Sequence, residues 1–394
     1  MESQEKGDAG EKYVNELAYG SYLKYWCYPN PKDIAADNKE FCDLLILFRD
    51  IALIISVKNH HYDGDVPKYQ KKVIEKSTNQ LNGAYRKLFT SNRDIYVQHP
   101  DREPELFDPN AYQQVYRITI NVGEQFENYS LGEHIQDKGF INILNKDTFD
   151  TIIGELDTIN DLVDYLKKRE DLLLAGFQLE EGCFEKDLLA LFVTNNREFP
   201  VIAGNGGKLT ILKCHGAWGA YQSGTAFAYK KAQDELSYFI DKMVRENILV
   251  LPDGERLARE LMNTSRFERR MLSKDFHHLV NKYEGSPGDT LARRYHVFNN
   301  IGHLMMYYGA DIPQEQIDEM VKLAAEVYAY HYSIKEVIVL AATDRLRQYK
   351  FGMFITSDNP HPEAIKRLDR FISQSGWFTN EKKLAYRETE FPEP

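Results

Sequence analysis

The sequence predicts an α/β fold of the α+β kind, a mixed sheet flanked by helices and followed by a mainly helical C-terminal region. Three observations carry this. Two short runs rich in Ile, Leu and Val, Leu44–Phe48 and Ile51–Val57, meet across the polar pair Arg49-Asp50, the pattern of a β-hairpin buried on both faces. Helical periodicity brackets that hairpin, from Gly10 on one side and over Lys68–Leu88 on the other. From about residue 171 the texture changes, and Ala226 to Tyr332 reads as mainly helical. A chain of 394 residues is long enough for two domains, placed at 1–170 and 171–394.

In chain order, the helix from Gly10 puts Val14, Leu17, Ala18 and Tyr22 on one face, with Glu11 in its first turn, where the helix dipole favours an acid. Residues 23–28 read as a short strand, Pro29-Asn30-Pro31 as a turn, and Asp33–Glu40 as a polar approach to the hairpin. Lys68–Leu88 buries Val73, Leu81, Ala84 and Leu88, while its polar positions Lys72, Lys76, Gln80 and Arg86 are candidates to line a phosphate backbone. Val115–Val122 and Phe140–Leu144 read as strands, and Thr148–Leu166 as a helix closing the first domain. Further on, Leu188–Thr194, Lys208–Leu212, Val337–Ala341 and Gly352–Ile355 look like strands. The Gly-rich AGNGGKLT is expected to be a hairpin turn, because a phosphate-binding loop needs glycine where Ile202 stands. Arg266, Arg269, Arg270 and Lys274 recur at helical spacing and, with Arg293 and Arg294, suit a nucleic-acid groove; Glu268 and Asp275 offer them intrahelical partners instead.

Composition excludes several classes. With 43% apolar residues the chain has material for substantial cores, yet no apolar run is long enough to span a membrane. The N-terminal MESQEKGDAGEK lacks the apolar core of a signal peptide, so the cytoplasm is the expected compartment. Cys27, Cys42, Cys183 and Cys214 show no CxxC spacing, which argues against zinc and against a disulfide framework. A net charge of -11 disfavours general coating of nucleic acid but leaves room for a local basic groove.

The chemistry concentrates at the hairpin. Asp43 stands where its first strand begins and Lys58 where its second ends, so a carboxylate and an ammonium meet at a core rim. Metal-assisted phosphodiester hydrolysis needs carboxylates to hold Mg²⁺ (or Mn²⁺), an activated water, and a cation near the developing charge. Asp43 is the expected metal contact, with Glu11 and the Val57 carbonyl as second and third, and Lys58 acts on the water or the transition state. Glu40, three residues before Asp43, is the other acid within reach. His60 and His61, with Asp63 and Asp65, are expected to diverge on a loop rather than form a metal cluster.

The segments KEFCDLL (39–45), SVK (56–58) and ELDTINDLVDYLKKRE (155–170) resemble the PD-(D/E)xK restriction-endonuclease-like superfamily, in a largely uncharacterised bacterial branch, over roughly residues 8–170. Gln80 and Tyr85 resemble the Gln…Tyr helix of RecB-like nucleases, with one extra residue between them. The resemblance implies a mixed sheet flanked by helices and Mg²⁺-dependent cleavage of nucleic acid, DNA more than RNA, with Asp43 as motif aspartate and Lys58 as motif lysine. Ser56 occupies the family's acidic position, so a carboxylate must come from Glu11 or Glu40. If neither supplies it, the domain is a catalytically degenerate scaffold that binds nucleic acid or a partner protein. By analogy of fold the chain belongs in a bacterial restriction or anti-phage defence system, with a partner protein from that system and self-association both open. An enzyme of another class in the C-terminal half would have to use Asp275, His277, His278 and Glu284.

Overall fold

The computed structural model describes residues 2–22, 24–34, 38–123, 132–135, 139–199, 210–346, 348–357, 361–379, 381–382 and 389–391. Two compact units divide the chain, Met1–Gly224 and Thr225–Pro394.

In the first unit, α1 (Glu2–Tyr22) leads to β1 (Cys27–Pro29), β2 (Leu44–Phe48) and β3 (Ile51–Lys58). The expected hairpin is present: β2 and β3 pair antiparallel from Leu44↔Ile55 to Phe48↔Ile51. Every residue of β2 and all of β3 except Lys58 are buried, since helices cover both sheet faces and alternate side chains point to each. Leu45, Leu47, Ala52 and Ile54 pack with Leu81, Ala84 and Leu88, while α1 lies against β3. The long helix is continuous but not uniform: α2 (Val66–Tyr69) runs through a π-helical stretch, Gln70–Glu75, into α3 (Lys76–Phe89). After the short strands β4 (Tyr96–Val97) and β5 (Glu105–Leu106), β6 (Gln114–Asn121) lies parallel to β3, and β7 (Gly132–Ile135) and β8 (Gly139–Asn145) complete a six-stranded mixed sheet ordered β1-β2-β3-β6-β8-β7.

The segment expected as one helix over Thr148–Leu166 is two, α4 (Lys146–Glu155) and α5 (Ile159–Leu174). Thr158 causes the break: its side chain accepts from Asp161 N at 3.1 Å and starts a new helix. β9 (Phe177–Leu179) and β10 (Thr210–Leu212) pair in parallel around α6 (Glu185–Thr194), and α7 (Ala217–Ser223) ends the unit. Leu188–Thr194 is thus helix, not strand. A short, fully apolar run carries no period, and here Asp187 caps the helix by accepting from Phe184 N at 3.1 Å. The AGNGGKLT turn lies outside the described residues. The boundary expected at 170 falls inside the unit: Arg169 of α5 and Glu185 of α6, both buried, form an ion pair at 2.6 Å.

The second unit is helix-rich and carries its own sheet. α8 (Thr225–Asp234), α9 (Tyr238–Met243), α10 (Gly254–Leu261) and α11 (Arg266–Tyr283) precede β11 (Leu291–Phe298) and β12 (Ile301–Tyr308). α12 (Gln314–Tyr332), β13 (Glu336–Ala342), β14 (Tyr349–Ile355) and α13 (Pro362–Ser375) follow, and the strands are ordered β11-β12-β13-β14. β13 and β14 match the expected strands, but the β11–β12 hairpin corrects the helical reading of this stretch. Its turn is Asn299-Asn300, both at positive φ (50° and 61°), the two-residue geometry that joins right-twisted strands.

Candidate active site at the rim of the central hairpin

The hairpin register sets the site. One rung beyond Leu44↔Ile55, Asp43 falls opposite Ser56, and its N–H donates to Ile55 O at 3.1 Å. The Asp43 carboxylate turns across the strand, where Oδ2 accepts from Val57 N. Lys58 Nζ lies 3.9 Å from that Oδ2, with side chains only 14% and 8% exposed, so the pair is largely out of water. Lys58 donates to Ser56 Oγ at 2.7 Å, to Gln80 Oε1 at 2.9 Å and to Val57 O at 3.0 Å. Ser56, fully buried, also donates to Gln80 Oε1 at 3.1 Å, and Gln80 Nε2 donates to Asp43 Oδ1 at 3.3 Å. Gln80 therefore joins the base and the acid, a position that sequence spacing alone reads as phosphate contact.

Both additional acids reach this rim. The amide of Asn30, oriented to donate, reaches Glu11 Oε2 at 3.3 Å and Asp43 O at 2.8 Å. Glu11 is in the body of α1, which begins at Glu2, so the helix dipole does not explain it. Glu40 is exposed as a residue, yet burial of its carboxyl, then the charge of Asp43, then that of Glu11 push it up to about 7. Burial also lowers the pKa of Lys58; Asp43 opposes this, Lys76 reinforces it, and Glu11 and Glu40 oppose it more weakly.

Among the described residues no three His, Cys, Asp or Glu side chains are gathered tightly enough to hold a metal ion by themselves. A hard cation of the Mg²⁺ type does not require such a cage, since it keeps several waters and takes one or two carboxylates plus substrate oxygens. Asp43, Glu40 and Glu11 offer that donor set, and the repulsion that raises Glu40 is what a divalent cation would relieve. The Val57 carbonyl is less suited to this than the sequence implies, because it accepts from Lys58.

Elsewhere the placements diverge. Lys72 and Lys76 are exposed two turns and one turn before Gln80, and Arg86 is exposed further along α3. Tyr85 stacks on Phe89 at 5.1 Å. The groove expected from α11 is corrected: Arg266 and Arg269 are buried and each meets Asp241 at 2.8 Å, while Arg270 meets Asp234 at 3.0 Å. Against the cost of burial, the charges of Arg269 and then Arg266 hold the Asp241 carboxyl below its usual range. A guanidinium buried against a carboxylate is not presented to a phosphate backbone. Lys274 alone of that set is exposed. Arg294 bonds Asp275 at 2.7 Å, and Arg293 stacks on Trp377 at 3.7 Å. The alternative centre in this half dissolves in the same way: Asp275 also meets His296 at 2.7 Å, His277 bonds Ser273 O at 2.8 Å, and His278 bonds Arg294 at 3.2 Å. In the first unit Asp63 pairs with Lys68, and His60 N bonds Asn121 at 3.0 Å.

No protein-family model matches the chain, and no solved structure matches it. A stretch of 138 residues is 28% identical to the membrane-bound O-acyltransferase GUP2 of Saccharomyces cerevisiae, covering 32% of this chain and 22% of that protein. The chain thus spans under a quarter of that relative's length. No helix among the described residues is long and apolar enough to cross a membrane.

Proposed function

We propose that the Met1–Gly224 unit is a divalent-metal-dependent nuclease domain that hydrolyses phosphodiester bonds of nucleic acid, DNA in preference to RNA and internally rather than from ends. What supports this reading is one juxtaposition: the carboxyls of Asp43, Glu40 and Glu11 share a rim with a largely buried lysine, Lys58. The acid that Ser56 does not provide then comes from α1 and from the approach to β2. Mg²⁺ or Mn²⁺, when bound, supplies a Lewis acid and a water of lowered pKa. Burial destabilises the Lys58 ammonium, so its amine takes and returns a proton more readily than an exposed lysine, while Gln80 fixes its direction. The second unit, and any partner protein or second copy, would serve recognition, in the setting of a cytoplasmic defence system.

A second reading, a catalytically degenerate scaffold that binds nucleic acid or a partner, has its own support in Ser56 and in Lys58 folded onto the Val57 carbonyl. The test is incubation of plasmid DNA and single-stranded RNA with Mg²⁺, Mn²⁺ or chelator, using wild type, Asp43→Asn and Lys58→Met. Metal-dependent cutting by the wild type and its loss in both variants is the expected result. Cutting that survives both variants overturns the assignment of the site, and binding without cutting selects the scaffold.

A further inference from the structure

Away from that rim the first unit contains a cavity of about 780 Å³, walled by Phe140, Phe177, Phe184 and Trp218 and bordered by Cys183. Cys183 lies in the turn before α6 and Cys214 in the turn between β10 and α7. Both are free thiols, 7% and 6% exposed. They adjoin each other: the Cys214 N–H donates to Cys183 Sγ at 3.4 Å.

The backbone around the pair is tied on both sides. Before it, Glu180 N donates to Leu212 O at 3.0 Å, and β9 pairs with β10. After it, Trp218 N donates to Asp187 Oδ1 at 2.9 Å, joining the first turn of α6 to α7. Cys214 N within 3.4 Å of Cys183 Sγ puts the two residues side by side, the proximity a disulfide requires.

We propose that Cys183 and Cys214 are a thiol oxidation site that closes to a reversible disulfide under hydrogen peroxide. Cys183 is the attacking sulfur of the first step, because it borders the cavity through which a small oxidant arrives. Burial, and then the adjoining Cys183 thiol, hold the Cys214 thiol protonated, which suits it to the second step. In the first step the Cys183 sulfur, giving up its proton to solvent, attacks one oxygen of hydrogen peroxide; the O–O bond breaks, the departing hydroxide takes a proton back from solvent and leaves as water, and a sulfenic acid forms. In the second step the Cys214 sulfur displaces that hydroxyl, which departs as water with the Cys214 proton. Two thiols are oxidised, one peroxide is reduced, and two waters are released. The cross-link closes a loop of about 30 residues containing α6 and fixes the wall of the cavity. Cys27 and Cys42 are fully buried free thiols.

The experiment treats the purified full chain with hydrogen peroxide, blocks remaining thiols under denaturing conditions and maps peptides by mass. The expected product has lost two hydrogens, links the Cys183 and Cys214 peptides, leaves Cys27 and Cys42 alkylated, and reverts with a thiol reductant. Oxidation should also raise the midpoint of thermal unfolding by about 5–10 °C, an increase absent in Cys183→Ser. Four blocked thiols after peroxide, a link between other cysteines, or Cys183 over-oxidised without a link each overturn the proposal. The wild-type peptide map decides the matter even if the variant does not fold.

Discussion

Lys58 donates to Gln80 Oε1 at 2.9 Å, and the other end of the same amide donates to Asp43 at 3.3 Å. The carboxamide is a spacer between a base and an acid that stand 3.9 Å apart. It aligns both groups without adding charge to a rim that already holds three carboxyls.

Gln80→Leu keeps the bulk and removes both bonds. Hydrogen bonds to charged groups contribute about 1.5–3 kcal/mol, so metal-dependent cleavage should fall about 10–100-fold with the fold retained. Initial rates beside a far-ultraviolet circular dichroism spectrum check this. Unchanged rates would mean the amide does not position Lys58.

Glu40 gives a pH test. Its folded-state pKa of about 7 lies above the ordinary carboxyl value, so the folded state favours the protonated form. The stability this contributes is present at low pH and is lost as pH rises through about 7. Cation binding needs the ionised form, so Mn²⁺ affinity should rise over the same interval. Glu40→Gln should abolish that inflection in a calorimetric titration between pH 6 and 8, and should be less destabilised than wild type on going to alkaline pH.

The Arg169–Glu185 pair sits in the interior with Tyr165 OH at 2.5 Å and Asn142 at 2.7 Å. Removing one partner leaves an uncompensated buried charge, a loss of about 3–5 kcal/mol for Glu185→Ala. Arg169→Met with Glu185→Leu should recover most of it. Urea unfolding of the two variants beside the wild type measures the difference, and a mild effect of Glu185→Ala would show that the pair does not tie α5 to α6.

In the second unit His303 is 1% exposed, and among the described residues neither ring nitrogen makes a well-formed hydrogen bond. Burial, aided by the nearby His296, lowers its pKa to about 3. The fold therefore accepts only the neutral ring, and its stability should be highest above the ordinary histidine value and fall as pH drops from about 6.5 toward 3. His303→Leu should stabilise by about 1–3 kcal/mol near neutrality and flatten that acid slope, as read from denaturant midpoints at pH 7.5 and 4.5.

Much of the fold was legible because hydrophobic patterning is local. Two apolar runs around a polar pair could bury themselves as a hairpin, and a charge at each end marked its rim. The same locality failed where the pattern had no period, as at Leu188–Thr194, or where a capping threonine split one helix into two. The Asn299-Asn300 turn was readable from turn chemistry but was hidden in a stretch rich in helix formers.

The sequence by itself determined the strand pair, its register and the meeting of Asp43 with Lys58, because a two-residue turn leaves one antiparallel pairing. Only the tertiary structure decided which acids join them, since Glu11 and Glu40 arrive on other elements across many residues of chain. It also decided which arginines are spent: helical spacing places Arg266, Arg269 and Arg270 along one helix, but burial against Asp241 and Asp234 depends on elements packed from outside it. A buried charge is assigned by what surrounds it in space, and that surrounding is not written in its neighbours along the chain.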